Sequence, residues 1–361
     1  MPTKVIDCDV HPFTTRGLRD ALEYLDEGWR RRIERFSGLP GFRLDSWVGG
    51  YNRDAIPPDG GKPASDPAQV QRELLDPHHV EHAVLIPLEH AYAARLLYPD
   101  ETAVLSRAFN DYFIERWLPA DPRFVLAIGV SPRDPAQAAA EIRRVGATPG
   151  VACVYLPLAN VLMGDRSHWP IYEAAVEMDL PINSHVGSGE GEFQGSPTFA
   201  GGIPPHYNQW HALFPQIAMS NLVSLVLEGT FERFPGLRVV FTEWGFSWLP
   251  HVLWRMDKEW RGLRAATPWV RRPPSEYVRE HVRLTTQPMD EPERDEMLQM
   301  LRLCHAGETL LFSSDYPHWD NDFPERTFAG VPEPLRTRIL HDSAAEFFPR
   351  LRSRPRQAAA P

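Results

Sequence analysis

Short apolar segments recur along the chain, and longer stretches with helical periodicity separate them. Runs of roughly four to eight apolar or β-branched residues without strict alternation are typical of strands that are buried on both faces. Eight segments of this kind are predicted to be strands: Lys4–Cys8, His82–Pro87, Phe124–Val130, Val151–Leu156, Leu180–His185, Leu237–Glu243, Val282–Thr286 and Leu310–Asp315.

The intervening stretches place apolar residues three and four positions apart, and most of them begin near Pro, Ser or Asp. The predicted helices are Glu101–Trp117, Pro135–Val145, Trp169–Met178, Gln209–Phe234, Phe246–Trp260, Pro292–Leu303 and Pro332–Leu351. Strands that alternate with helices predict a parallel sheet, and eight repeats fit a (β/α)8 TIM barrel. An open doubly wound sheet is the alternative, but no G-x-G-x-x-G follows the first strand.

Two Gly- and Pro-rich segments are predicted to be long insertions in a single domain over residues 1–351. They cover residues 12–68, after the first strand, and residues 186–206, after the fifth. Loops that leave the C-terminal ends of barrel strands form the active-site mouth, so both insertions are expected there. The tail over residues 352–361 is predicted to be disordered.

Composition narrows the class of protein. The 361 residues include 38 Lys and Arg against 48 Asp and Glu, and the net charge of −10 argues against nucleic-acid binding. No apolar run approaches the roughly 18 residues of a membrane-spanning helix, and the N-terminus has no apolar signal region. Three widely spaced cysteines predict a reduced, cytoplasmic protein.

Polar residues with metal-binding side chains close four of the predicted strands. Asp9 and His11 end the first strand, His185 the fifth, Glu243 the sixth and Asp315 the eighth. Each has an ordinary structural explanation when taken alone, such as a helix cap for Asp315 or a salt bridge for Glu243. Their coincidence at one end of a barrel predicts a mononuclear metal site, because His, Asp and Glu are ligands for Zn, Mn or Fe.

The chain resembles the amidohydrolase-2 family, in the branch with the aminocarboxymuconate-semialdehyde, γ-resorcylate and 5-carboxyvanillate decarboxylases. The resemblance rests on IDCDVHP, INSHVG, ERFPGLRVVFTEWGFSWLP, LFSSDYPHWD and ILHDSAAEFF, in that order along nearly the whole chain. It implies a metal-dependent barrel that is often dimeric or larger. It also implies one divalent ion, Zn or Mn, with the ligands Asp9, His11, His185 and Asp315, the last of which also acts in proton transfer.

One departure from the family leaves the reaction open. The decarboxylases usually have a histidine at the end of strand six, where this chain has Glu243. The resemblance favours a decarboxylase of a small aromatic or unsaturated carboxylic acid, with Asp315 or a protonated Glu243 as general acid. A hydrolase of an amide, lactone or cyclic C–N bond, in which a metal-activated water attacks, is the first alternative. A non-catalytic binding protein on the same barrel is the second.

Four further residues are candidates for contact with a small-molecule substrate or with the ion. Arg255 matches a family arginine that reaches the neighbouring subunit's site and grips a substrate carboxylate, although a surface salt bridge is the simpler explanation. His318 either hydrogen-bonds a ligand or packs in a loop. Trp47 and Trp244 are predicted to lie on loops at the mouth, where they would contact substrate.

Overall fold

The computed structural model describes residues 3–38, 50–290 and 292–351. Within these residues, eight parallel strands pair in the sequential order of the chain. A parallel bridge between Val10 and Tyr316, and a hydrogen bond from the Cys8 amide to the Phe312 carbonyl (3.0 Å), bring the eighth strand back to the first. The predicted (β/α)8 barrel is confirmed. Its strands are β1 (Val5–Val10), β2 (Val80–Leu85), β3 (Phe124–Gly129), β4 (Val151–Tyr155), β5 (Ile182–His185), β6 (Val239–Thr242), β7 (Val282–Thr285) and β8 (Leu310–Leu311).

Helices connect the strands. They are α1 (Leu18–Leu22), α2 (Glu27–Phe36), α3 (Pro67–Val70), α4 (Glu89–Ala94), α5 (Pro99–Arg116), α6 (Pro135–Val145), α7 (Trp169–Glu177), α8 (Tyr207–Leu213), α9 (Pro215–Leu227), α10 (Thr230–Arg233), α11 (Leu249–Gly262), α12 (Pro274–His281), α13 (Arg294–Leu303), α14 (Ala306–Thr309), α15 (Pro324–Thr327), α16 (Glu333–Thr337) and α17 (Ser343–Phe347). Single π-helical turns cover Gln71–Leu75 and Arg338–Asp342.

The predicted helix over 209–234 is divided into α8, α9 and α10. Pro215 lacks an amide hydrogen and starts α9, and Gly229 takes the left-handed conformation (φ 76°) before α10. The amphipathic helix α2 was not predicted. It lies in the segment predicted as an insertion, and the Asp26 side chain caps it by accepting from the Trp29 amide. The bounds of the insertions remain predictions, and the tail over 352–361 lies outside the described residues.

Two buried apolar clusters hold the barrel together. The larger packs the helices onto the strands. The smaller includes Ile6, Val84, Val125 and Val240 from four strands, and the C-terminal segment with α17 packs Phe347 against it. Because buried side chains fill both clusters, the barrel is a packed scaffold. It can hold the residues at its strand ends in fixed positions.

Helices α8 and α9 together form a stretch that is long and apolar enough to be tested as a membrane span. Residues Tyr207–Leu227, which comprise α8 and α9, reach a mean hydropathy of 1.2 over a window long enough to cross a membrane. Half of that window is buried within the protein. A core helix has the same composition, so the stretch by itself does not indicate a membrane span.

Candidate metal centre

The polar residues predicted at the strand ends converge at the C-terminal mouth of the barrel. Asp9 lies on β1 and His11 directly follows it, while His185 ends β5. Glu243 directly follows β6, and Asp315 lies four residues beyond the end of β8. All five side chains are buried. Charged groups in such a place are costly unless they are paired or bind an ion, so their arrangement requires a chemical explanation.

The backbone is strained where Glu243 and Asp315 leave their strands. Both have a positive φ, 61° and 59°, which side chains other than glycine rarely adopt. A strained residue of this kind costs on the order of 1–3 kcal/mol and persists only where its surroundings hold it. Here the Glu243 amide donates to Thr285 Oγ1 (2.9 Å) and the Asp315 amide donates to the Asp9 carbonyl (3.1 Å).

His11 presents one ring nitrogen to the centre of the site. Its Nδ1–H donates to the Ile86 carbonyl (2.9 Å), which leaves Nε2 facing the carboxylates. Nε2 lies 2.9 Å from Oδ1 of Asp315 and 3.2 Å from Oδ1 of Asp9. A backbone carbonyl that fixes the tautomer in this way is the usual support of a metal-ligating histidine.

His185 and Asp9 carry buried atoms that lack satisfying hydrogen bonds. The Nδ1–H of His185 donates to the Val186 carbonyl (2.6 Å), and its Nε2 lies 3.1 Å from Glu243 and 3.4 Å from Asp9. Neither this Nε2 nor either carboxylate oxygen of Asp9 makes a hydrogen bond of good geometry within the described residues. Buried acceptors are rarely left in this state, and a cation among them would satisfy all three atoms.

The charges of the site also fit a cation. Although burial disfavours its charged form, Asp9 and Glu243 hold the pKa of His185 well above its usual range. Burial likewise opposes ionisation of Asp315, but His318 and His11 hold the pKa of that carboxyl below its usual range. The carboxylates thus stabilise positive charge at the centre of the cluster, whether a proton or a metal ion carries it.

Two overlapping sets of side chains could therefore hold one metal ion. Within each set the ligand atoms lie within 4.8 Å of one another: the first set is Asp9, His11, His185 and Glu243, and the second is His11, Glu243, Asp315 and His318. The predicted ligands Asp9, His11, His185 and Asp315 all lie in these sets. Glu243 belongs to both sets, so its position also suits a ligand. The exact ligand set remains a prediction.

Asp7 lies outside both sets. The β1–β2 ladder shifts register between Asp7 and Val10, so the strict alternation that would place Asp7, Asp9 and His11 on one face is broken. Oδ1 of Asp7 accepts from the amides of Ser314 (2.9 Å) and Asp9 (3.2 Å), and burial raises its pKa to about 7. Asp7 thus joins β1 to the end of β8 below the site.

His318 lies beside Asp315, and its catalytic role remains a prediction. Its Nδ1 is 2.6 Å from Oδ1 of Asp315, which is a hydrogen-bonding distance. Burial lowers the histidine's pKa, but the Asp315 carboxylate outweighs burial and raises it to about 9. Tyr51 stacks on the His318 imidazole, with ring centroids 5.4 Å apart and planes at 19°.

A narrow cavity opens onto these groups, and we call it the inner cavity. Aromatic and apolar side chains from the loops after β1, β2 and β5 form most of its wall, and His185, Glu243, Asp315 and His318 form its floor. Within the described residues no lysine or arginine lines it. The aromatic and apolar wall residues are Tyr51, Leu88, Tyr92, Val186, Tyr207 and Trp210.

The two predicted substrate contacts that lie among the described residues, Trp244 and Arg255, do not line the inner cavity. Trp244 is fully buried in the core, where its indole donates to the Ser184 carbonyl (3.0 Å) and packs on Phe214, so its prediction as a mouth residue is wrong. Arg255 is exposed on α11 and lies 3.4 Å from Glu259, which leaves its role toward a neighbouring subunit a prediction. Trp47 lies outside the described residues.

Sequence reasoning missed most of the cavity wall and one acid. Tyr207 and Trp210 are three positions apart on α8 and therefore share a face. This spacing could have indicated an aromatic face, because a helix after β5 was predicted. Tyr92, on the short helix α4, and Asp320, in the loop after β8, gave no comparable signal, because their orientation depends on the rest of the barrel.

The fold and the site together define a (β/α)8 barrel with a buried metal-ligand cluster at its catalytic end. A family model described as Amidohydrolase (Amidohydro_2) matches residues 6–350, and the chain belongs to this family. The predicted family resemblance is confirmed.

Relatives and structural neighbours of the chain are named as decarboxylases. The γ-resorcylate decarboxylase of Rhodococcus jostii (strain RHA1) is 27% identical over 303 residues, which cover 78% of this chain and 88% of that protein. The 5-carboxyvanillate decarboxylase of Sphingomonas paucimobilis superposes with a TM-score of 0.68 at 20% identity, over 96% of this chain and 99% of that one. A dihydroxybenzoic acid decarboxylase from Polaromonas sp. JS666, solved with manganese and 2-nitroresorcinol, gives 0.65 at 18% identity over 97% of each chain.

Proposed function

We propose that this protein is a metal-dependent, non-oxidative decarboxylase of a small hydroxylated aromatic acid. The observation that carries the proposal is the cluster of Asp9, His11, His185, Glu243 and Asp315, of which the last three lie at the floor of an aromatic-walled cavity. The named activities of its relatives support the same reaction. The metal ion is proposed to be Mn or Zn, and manganese in a structural neighbour supports the former.

The inner cavity is suited to a flat ring. Tyr51, Tyr92, Tyr207 and Trp210 surround the space above the metal ligands with aromatic surface. When bound, the ion supplies positive charge for the substrate's carboxylate and an adjacent oxygen. Because no lysine or arginine of the described residues lines the inner cavity, its walls exclude water and orient the ring rather than neutralise charge.

Decarboxylation requires a proton at the ring carbon that carries the carboxylate. The C–C bond breaks, its electron pair stays on the ring carbon, and a C–H bond forms there as CO2 leaves. Asp315 lies at the floor of the inner cavity and is the proposed donor; it would take the proton from the imidazolium of His318, whose Nδ1 lies 2.6 Å from its Oδ1, and pass it to the ring carbon. Tyr51 holds the imidazole by stacking on it and thereby orients the donor pair.

The test is CO2 release from γ-resorcylate and 5-carboxyvanillate by protein loaded with Mn or Zn, together with the metal content of protein purified without chelator. We expect about one equivalent of metal per chain and turnover of at least one of these acids or a close analogue. Metal-loaded protein that releases no CO2 but opens a small aromatic lactone would support the hydrolase alternative. Protein that retains no metal after reconstitution would contradict both enzyme proposals.

Glu243→Gln is expected to lower kcat about 10²-fold while the bound metal per chain changes little. The substitution keeps the shape of the side chain and removes the negative charge that faces His185. A group that assists proton transfer would therefore be lost, and the packing would not change. Elemental analysis and steady-state kinetics on the same preparation separate the two effects. Glu228→Gln, on the exposed end of α9, is the control. Loss of metal in Glu243→Gln would instead make this residue a ligand.

We also propose that the protein is a cytoplasmic homodimer. Trp254 and Arg255 are exposed next to each other on α11, and an apolar ring of this size at the surface favours a partner. Three buried, unpaired cysteines support a reducing compartment. Sedimentation velocity is expected to show a dimer for the wild type and a monomer for Trp254→Lys, and a monomeric wild type would contradict the proposal.

A further inference from the structure

A buried arginine, Arg95, lies behind the wall of the inner cavity. It directly follows α4 and is only 2% exposed. It does not line the inner cavity, but it contacts two residues that do, Tyr92 on α4 and Gly187 in the loop after β5. A charge at this depth is costly unless its surroundings use it, so its contacts indicate what it does.

The guanidinium of Arg95 joins α4 to the loop after β5. Its Cζ lies 4.7 Å from the centre of the Tyr92 ring and 5.0 Å from the centre of the Phe193 ring, and Nη2 donates to the Gly187 carbonyl (2.7 Å). A planar cation can pack on aromatic rings and donate a hydrogen bond at the same time, which the ammonium of a lysine does less well. One side chain thus fixes two neighbouring parts of the cavity wall relative to each other.

Glu190 holds the same loop from its other side. Its carboxylate is fully buried and accepts from the amides of Gly187 (3.1 Å) and Ser188 (2.9 Å). Its backbone carbonyl accepts from the indole of Trp210 (3.2 Å), which lines the inner cavity. Arg95 and Glu190 also attract each other electrostatically. The two opposite charges therefore hold Gly187 and Trp210 in place.

The same contacts continue toward the floor of the inner cavity. The hydroxyls of Tyr92 and Tyr51 are hydrogen-bonded to each other, and the Tyr51 ring stacks on His318. The rings that face the space above the metal cluster are thus connected to one buried arginine. Their positions decide how a flat substrate ring can lie, and misplacement of a bound ring weakens both its binding and its reaction.

We propose that Arg95 is a positioning residue that, together with Glu190, fixes the aromatic wall against which the substrate ring packs. This inference rests on the proposed decarboxylase function. Arg95 acts through Tyr92 and Gly187, and through Glu190 on Trp210. Its removal lets the wall relax and weakens binding of the ring, while the metal cluster and the proton donor at the floor are left unchanged.

The test is the steady-state kinetics of Arg95→Met and Arg95→Lys on an acid that the wild type decarboxylates. For Arg95→Met we expect KM to rise about 10-fold, with kcat within about 3-fold of the wild type and the bound metal per chain unchanged. Arg95→Lys keeps the charge but not the planar group, so its KM should rise only about 3-fold. A purely structural defect would reduce the fraction of folded enzyme and thereby kcat, not KM.

Phe193→Leu keeps both buried charges and therefore tests the proposal even if Arg95→Met does not fold. It removes one of the two rings on which the guanidinium packs. We expect its KM to rise about 3-fold with kcat unchanged, because the guanidinium is then held less firmly against Tyr92.

Arg133→Met is the matched control, because Arg133 joins the same two segments without contacting the cavity wall. It donates to the carbonyls of Ala94 at the end of α4 (2.9 Å) and of Gln194 in the loop after β5 (3.2 Å). Neither of these residues lines the inner cavity. The variant is expected to match the wild type in KM and kcat.

Three results would overturn the role of Arg95 and leave the decarboxylase proposal standing. They are an unchanged KM in both Arg95→Lys and Phe193→Leu, a loss of kcat at unchanged KM in Arg95→Met, and an equal rise of KM in Arg133→Met. A metal-loaded wild type that decarboxylates none of the aromatic acids would overturn both proposals.

Discussion

Asp315→Asn is expected to lower kcat for decarboxylation by about 10³-fold or more. The amide has nearly the same shape but cannot take a proton from His318, whose Nδ1 lies 2.6 Å from Oδ1 of Asp315, and pass it to the substrate. General acid catalysis contributes about 10²–10⁴-fold in enzymes, and the same substitution also removes a negative charge from the metal cluster. The effect should therefore exceed that of Glu243→Gln.

The measurement is steady-state decarboxylation by protein whose metal content is known, since kcat must be expressed per bound ion. Far-ultraviolet circular dichroism and the melting temperature of the variant should show that the barrel is intact. Asp295→Asn, which replaces an exposed carboxylate in the first turn of α13, controls for the loss of charge alone. Turnover at the wild-type rate in Asp315→Asn would remove this residue from the mechanism.

The barrel and the polar cluster at its strand ends could be predicted because both depend on short-range pattern. Strands that are buried on both faces are continuous apolar runs, and all eight were located to within a few residues. Residues that end such strands must meet at one end of a barrel, whatever the loops do. The strand-end pattern therefore predicts that Asp9, His11, His185 and Asp315 lie close together.

The cavity wall could not be predicted in this way, because loop conformation decides which side chains face it. Trp244 immediately follows Glu243, yet the left-handed turn at Glu243 sends the carboxylate to the site while the indole packs in the core. Tyr51, by contrast, lies far from any strand end and reaches His318 through an isolated bridge between their backbones. Hydrophobic periodicity predicts neither the burial of Trp244 nor the position of Tyr51 beside His318.

The departure at Glu243 has a physical consequence in the structure. A carboxylate in place of the usual family histidine adds a negative charge 3.1 Å from His185. With Asp9 and Asp315 the site then has three carboxylates around two metal-facing imidazoles, which strengthens its preference for a cation. Oxygen-rich ligand sets suit manganese better than thiolate-rich ones do, and this agrees with the proposed choice of metal.

His185→Ala is expected to reduce metal affinity at least about 100-fold and thereby abolish activity. Removal of the imidazole deletes a candidate ligand atom that lies 3.4 Å from Asp9 and 3.1 Å from Glu243, and alanine offers no atom in its place. Manganese should raise the melting temperature of the wild type but not of the variant, because an ion stabilises only a fold that binds it. This readout does not depend on knowing the substrate.

His206→Ala is the control for that experiment, since His206 is an exposed histidine in the same connection between β5 and α8. It should keep both the metal and the thermal shift. His185→Gln tests whether the effect belongs to the ligand atom rather than to a packing defect, because glutamine fills the space and offers an oxygen. An intact thermal shift in His185→Ala would mean that Asp9, His11, Glu243 and Asp315 hold the ion without it, and that the fifth strand contributes only shape to the site.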